Sequence, residues 1–219
     1  CSIDIETTGL DPDIHQIIEF GAIIEDTENP KSYDESKKYR RIILSDDGNY
    51  VFSSFAAKIN AGLISTISDL ENGKTLSVPF ANTPYLSEYA FQGNELFADF
   101  RIWLLANGFK ENEKGIIEIV AAGKNFASFD KRFIENLGNQ TMEWNSLKFS
   151  HRSLDPTLAF VDWKGDKTPP STETSKKRAG LNGVVAHNAL ADAWDVIQLL
   201  RTTYNQNAYI QLPQVIAAQ

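Results

Sequence analysis

A mixed α/β fold, one sheet with helices on both faces, is what this 219-residue sequence predicts. Three observations carry that expectation. The chain up to residue 44 reads as successive strands. From residue 94 onward helical patterns alternate with at least one further strand. The length suits one well-filled core and leaves too little for a second full domain, so residues 1–219 are expected to form a single domain.

Residues 1–6 form a short strand that ends in the turn Thr7-Thr8-Gly9-Leu10-Asp11-Pro12. Residues 17–24 are a second apolar strand and 39–44 a third, closed by Asp46-Asp47-Gly48-Asn49. Residues 55–67 have a helical pattern, whereas 73–92 are mostly irregular, with Pro79 and Pro84 as breakers. Asn94 can cap an amphipathic helix over 95–106, with Leu96, Phe97, Phe100, Trp103 and Leu104 on one face and Gly108 as its stop. Residues 115–122 are a buried-type strand carrying Ile116, Ile117, Ile119 and Val120, followed by the loop Gly123-Lys124-Asn125. Ser128 is placed to cap a helix running to Leu137 and stopping at Gly138. Asp155-Pro156 opens a short helix to about residue 161, since proline suits the first helical position. Residues 164–183 are polar, with two prolines and many Ser, Thr and Lys, and read as a mobile loop. A helix over 189–204 closes the pattern.

Composition is that of a water-soluble globular chain: 42% hydrophobic, 11% aromatic and 23% charged residues. With 21 Lys+Arg against 29 Asp+Glu the formal charge is −8. That disfavours a protein that coats duplex nucleic acid, whose affinity comes from phosphate neutralisation. It leaves room for an enzyme that handles one end at a time. No stretch approaches the ~20 apolar residues of a membrane helix, and no charged-then-apolar leader is present. The one cysteine, Cys1, excludes an internal disulfide and fits a reducing, cytoplasmic setting. Because Cys1 stands where Met would begin a natural chain, an upstream start is expected.

Five polar residues from three distant segments sit where packing alone would put apolar ones: Asp4, Glu6, Asp130, His187 and Asp192. Asp4 and Glu6 are two apart on a strand and share a face. Two such acids repel unless a cation lies between them, and Mg²⁺ or Mn²⁺ prefers hard oxygen ligands. A strand end with two solvated acids is the simpler alternative for a bare Asp-x-Glu. Asp130 lies in the first turn of its helix, where the dipole alone favours an acid by about 0.3–1 kcal/mol. His187 precedes the last helix, Asn188 can cap it, and Asp192 lies one turn inside among Leu190, Ala191, Ala193 and Trp194. Asp195, on a neighbouring face, reads as a surface acid. His15 and His151 read as structural or surface residues.

Together these segments resemble a known family. D-I-E-T-T-G-L at 4–10, N-F-A-S-F-D at 125–130 and H-N-A-L-A-D-A at 187–193 are similar to the three motifs of the DEDDh 3′–5′ exonucleases, with all five signature positions filled in order. The resemblance spans residues 1 to about 204. It implies a ribonuclease H-like fold, a mixed β-sheet flanked by helices on both faces.

It also implies a site. Two divalent cations, Mg or Mn, would be held by Asp4, Glu6, Asp130 and Asp192, with Asp4 bridging, Glu6 and Asp192 completing one shell and Asp130 holding the other ion. His187 would take the proton of the attacking water, as an imidazole can near neutral pH. Thr7, Thr8 and Gly9 would hold the terminal 3′-hydroxyl and Leu10 would wedge the last base. Asn125 and Phe126 would meet the next nucleotide, with a core role for Phe126 as the competing reading. The expected partner is a nucleic acid 3′ end, single-stranded, with a polymerase or repair protein as a further candidate and no membrane.

Two departures stand out. An insertion is expected around 45–92, and Lys124 stands where many members carry His or Tyr. Lys164, Lys167, Lys176, Lys177 and Arg178 outnumber Asp166 and Glu173 in the polar loop, a patch for steering phosphates or a solvated linker. The alternatives to an exonuclease are a catalytically silent module binding nucleic acid ends or a polymerase, and a phosphodiesterase of small nucleotides.

Overall fold

The computed structural model describes residues 1–72 and 90–207. Four strands form the main sheet: β1 (Ser2–Thr7), β2 (Ile17–Ile24), β3 (Lys37–Leu44) and β4 (Ala90–Gln92). β1, β2 and β3 pair antiparallel in chain order, and β4 adds parallel to β3. β5 (Ile117–Ile119) and β6 (Leu147–Phe149) form a parallel pair. Backbone bonds join the two sheets into one surface. Ile3 N–H donates to Ala122 O at 2.9 Å, Ala122 N–H to Cys1 O at 2.8 Å, and Gly123 N–H to Leu154 O at 2.9 Å.

Alternation along β1 divides its side chains between two layers. Ile3 and Ile5 enter the main core with Phe20, Tyr39 and the aromatic faces of α3 (Leu96–Ala106) and α4 (Asp130–Gly138). The other face lies under α6 (Ala189–Asn207), where Ile23 packs on Leu190, Ala193 and Ile197. Gly21 permits that approach, since a Cβ there would stand 2.5 Å from the backbone carbon of Ala189. Gly21 pairs with Asp4, and Glu19 with Glu6. Both acids of β1 therefore point toward the start of α6.

Local differences from the sequence expectations have identifiable causes. The helical pattern at 55–67 is two helices, α1 (Ser54–Ile59) and α2 (Ala61–Glu71), divided at Asn60. α2 packs through Ile67 on Ile18 and Ile42. Within the expected insertion, residues 73–89 lie outside the described residues. The strand expected over 115–122 pairs regularly only at its centre, and Val120 is exposed. The helix expected to start after Ser128 starts at Asp130, because the Ser128 hydroxyl donates to Asn125 O instead of capping. Asp155 caps as expected, accepting from Thr157 N–H at 3.0 Å, but the segment it opens is a 3-10 helix.

The stretch 164–183 is not irregular throughout. Ser171 caps α5 (Thr172–Arg178), accepting from Thr174 N–H at 3.2 Å. Three of its five cations are paired. Lys177 meets Glu173 one turn away, Arg178 holds Asp166, and Lys176 is buried against Asp195. Asp195 is thus no surface acid. Among the described residues no helix is long and apolar enough to cross a membrane.

Candidate active site

The three carboxylate segments converge. Asp4, Glu6 and Asp192 each offer an oxygen within 4.8 Å of the others. Strand alternation brings the first two, and α6 brings the third. That helix is anchored to the sheet at its first residue. Ala189 N–H donates to the Oε2 of buried Glu19 at 2.9 Å, and Glu19 is in turn paired with Arg40. Asn188 caps it as expected, its Oδ1 accepting from Ala191 N–H at 3.1 Å.

Asp130 arrives by a different route. β1 is bonded to the chain at Ala122 only as far as Ile3, after which that neighbour turns away at Gly123. The next outward N–H of β1, that of Ile5, is met by Asp130 Oδ1 at 3.2 Å. A carboxylate thus takes the place of a strand carbonyl. Asp130 is outside the tight trio but shares its cleft of about 370 Å³, whose lining includes Asp4, Lys124, Asn125, Asp130, Thr172 and Asp192.

Burial and crowding leave these acids reluctant to ionise. Burial, then the charges of Asp130, Asp192 and Glu6, hold Asp4 well above the usual carboxylate range. Burial, with Glu19 and Asp192 nearby, pushes Glu6 up to about 8. Asp130 is raised to about 7 by burial, and Asp192 to about 6 by burial and the charge of Asp195. Such a cluster fits a divalent cation, which would offset the repulsion. One further observation agrees: Asp192 Oδ1 is buried without a hydrogen-bond partner.

His187 is exposed and lines an adjoining opening with Glu173, Lys177 and Val184, not the carboxylate cleft itself. Thr172 borders one opening and Glu173 the other, so the first turn of α5 separates the two. His187 has φ 49°, a left-handed backbone that a non-glycine residue seldom adopts.

The expected substrate contacts divide. Leu10 is 75% exposed and Asn125 is exposed, both free to meet a ligand. Phe126 follows the core alternative: it is 1% exposed and packs edge-on against Phe149. Thr7 and Thr8 are buried, and their hydroxyls are used within the turn. Thr7 Oγ1 donates to Gly9 O at 2.6 Å, and Thr8 Oγ1 bonds Gln16. Gly9 packs on the ring of His15, where a Cβ would stand at 2.2 Å. Sequence reasoning missed Glu19, Arg40 and Asn60, and it gave Lys176 no buried role. A lone acid inside the run Ile17-Ile18-Glu19-Phe20 is the same signal that singled out Asp4, and could have found Glu19. Asn60 supports the turn from below, its Nδ2 donating to Thr7 O at 3.2 Å. Another cavity of about 350 Å³, lined by His15, Gln16, Asp47 and Phe133 among others, holds none of the carboxylates.

This is an α/β protein of ribonuclease H-like fold, as the sequence motifs imply. Solved structures similar to it include exonucleases and a nuclease. Exonuclease I of E. coli, in its zinc-ion-bound complex with single-stranded DNA, matches with TM-score 0.56 and 15% identity over 95% of this chain and 40% of its own. A moderately thermophilic exonuclease I from Methylocaldum szegediense gives 0.58 and 18% over 95% and 40%. Cell-death related nuclease 4 gives 0.54 and 14% over 94% and 63%. The chain thus spans about 40% of the length of these exonuclease I enzymes. No protein-family model matches the sequence, and no curated protein matches it significantly.

Proposed function

We propose that this chain is a single exonuclease domain that removes nucleotides from the 3′ end of single-stranded DNA or RNA in a divalent-metal-dependent reaction. The observation that carries the reading is the meeting of Asp4, Glu6 and Asp192 oxygens within 4.8 Å, with Asp130 in the same cleft. Asp4, Glu6 and Asp192 would hold one Mg²⁺ or Mn²⁺, and Asp4 with Asp130 a second. Bound there, the pair supplies charge stabilisation for the attacking and leaving oxygens of an in-line displacement.

The chain's own groups do the rest. His187 swings from the adjoining opening toward the cleft and accepts the proton of the attacking water. Leu10, exposed at the end of the turn, wedges the terminal base, and Asn125 meets the next nucleotide. Thr7, Thr8 and Gly9 act through the shape of their turn, since the two hydroxyls are engaged within the protein. Single-stranded DNA in a similar structure supports that substrate class. The lone Cys1 fits a cytoplasmic setting.

A silent binding module is less well supported, because all four acids and the histidine are present. Replacing Asp192 separates the readings. Asp192→Ala should abolish Mn²⁺-dependent hydrolysis of an oligonucleotide while the circular dichroism spectrum stays that of the parent. Retained hydrolysis would remove Asp192 from the site.

A further inference from the structure

Lys176 is the least expected residue of α5. A lysine on a seven-residue outer helix ordinarily extends into water. Here it is 5% exposed, and its partner Asp195 on α6 is 7% exposed. Lys176 Nζ stands 2.7 Å from both carboxylate oxygens of Asp195 and donates to Val184 O at 2.5 Å. An ammonium carries three protons, and these three bonds use them all. A buried ion pair is seldom more stabilising than two apolar side chains of similar size, because both charges must be desolvated. Stability therefore explains the pair poorly. The third bond offers a better reason.

Val184 lies three residues before His187, on the segment that links α5 to α6. The far end of that segment is fixed by the Asn188 cap and by the bond from Ala189 to Glu19. At the near end, Val184 N–H donates to Asn182 Oδ1 at 3.2 Å, and Val184 O takes the Lys176 proton. Between these anchors His187 keeps a left-handed backbone, which costs free energy and persists only where the surroundings enforce it. Asp195, meanwhile, is on the helix that carries Asp192, three positions further along.

We infer that Lys176 is a positioning residue that ties the His187 segment to α6. Through Val184 O on one side and Asp195 on the other, it sets where the histidine stands relative to the carboxylates. This rests on the reading of His187 as the proton acceptor. Lys176 itself touches neither the cleft nor a substrate.

The single change Lys176→Met leaves Asp195 buried and unpaired, so a folding defect would obscure its effect. The double change Lys176→Met with Asp195→Leu replaces the pair by apolar groups, and it should fold as well as the parent. In that variant, amide hydrogen exchange over 184–188 should quicken. With a single-stranded oligonucleotide, kcat should fall about tenfold to a hundredfold at nearly constant KM. Exchange and kcat both equal to the parent's in the folded double variant would overturn the inference. So would a lower kcat with unchanged exchange. Quickened exchange in a protein whose parent hydrolyses nothing would sink the exonuclease reading, and with it the catalytic purpose of the tether.

Discussion

Without divalent cations the stability of this protein should fall as the pH rises, and the carboxylate cluster sets the size of the fall. Glu6 is raised to about 8, Asp130 to about 7 and Asp192 to about 6. In the unfolded chain such groups titrate near ~4. A carboxyl whose pKa is higher in the folded state holds its proton more tightly there. Its contribution is therefore full below about pH 4 and is lost as the pH climbs through about 6 to 8. For Asp192 alone, a rise from 3.8 to about 6 corresponds to about 3 kcal/mol, at about 1.4 kcal/mol per tenfold change. Water in the cleft screens these charges, and the repulsion is shared between partners. About 2–4 kcal/mol for the whole cluster is the sounder expectation, or roughly 5–15 °C in Tm.

Scanning calorimetry in EDTA at about pH 5.5 and about pH 8.5 reads this directly. Tm should be lower at the higher pH, and Mg²⁺ should restore it there while adding little at the lower pH. Glu6→Gln, which removes one of the crowded charges, should flatten the dependence and stabilise the metal-free protein at the higher pH. A Tm in EDTA that holds or rises between the two pH values would refute the reasoning, as would an equal gain from Mg²⁺ at both.

Two other substitutions probe the frame. Gly21→Ala should push α6 away from β2, because its Cβ would fall 2.5 Å from the Ala189 backbone. Overpacking of this kind costs about 1–3 kcal/mol, seen as a lower Tm, and it should carry Asp192 out of register with Asp4 and reduce kcat. Leu10→Ala and Phe126→Ala should behave as opposites. The first, at a 75% exposed side chain, should leave Tm within about 0.5 kcal/mol of the parent and raise KM. The second empties a core position and should cost about 3–5 kcal/mol of stability.

Much of this architecture is legible in the residues themselves. The run over 17–24 is a strand because nearly every position in it is buried. Asp4 and Glu6 share a face because strands have a period of two, and Asn188 does cap α6. What the sequence hides is partnership at a distance. Asn60 breaks a helical pattern because its amide is taken by Thr7, fifty-three positions away. Ser128 has the chemistry of a cap, but the left-handed turn at Asn125 offers its hydroxyl a nearer carbonyl. Lys176 reads as part of a phosphate-steering patch or a solvated linker and Asp195 as a surface acid, and only packing of α5 on α6 makes them a buried pair. The motifs thus pointed to the carboxylates. They were silent about the residues that hold the carboxylates and His187 in place.

Degradation of a 5′-labelled single-stranded oligonucleotide tests the central claim most directly. With Mn²⁺ present the protein should give a ladder of products shortened one nucleotide at a time from the 3′ end, and EDTA should stop it. A substrate that stays intact with Mn²⁺, as DNA and as RNA, would contradict the account, as would products cut from the interior.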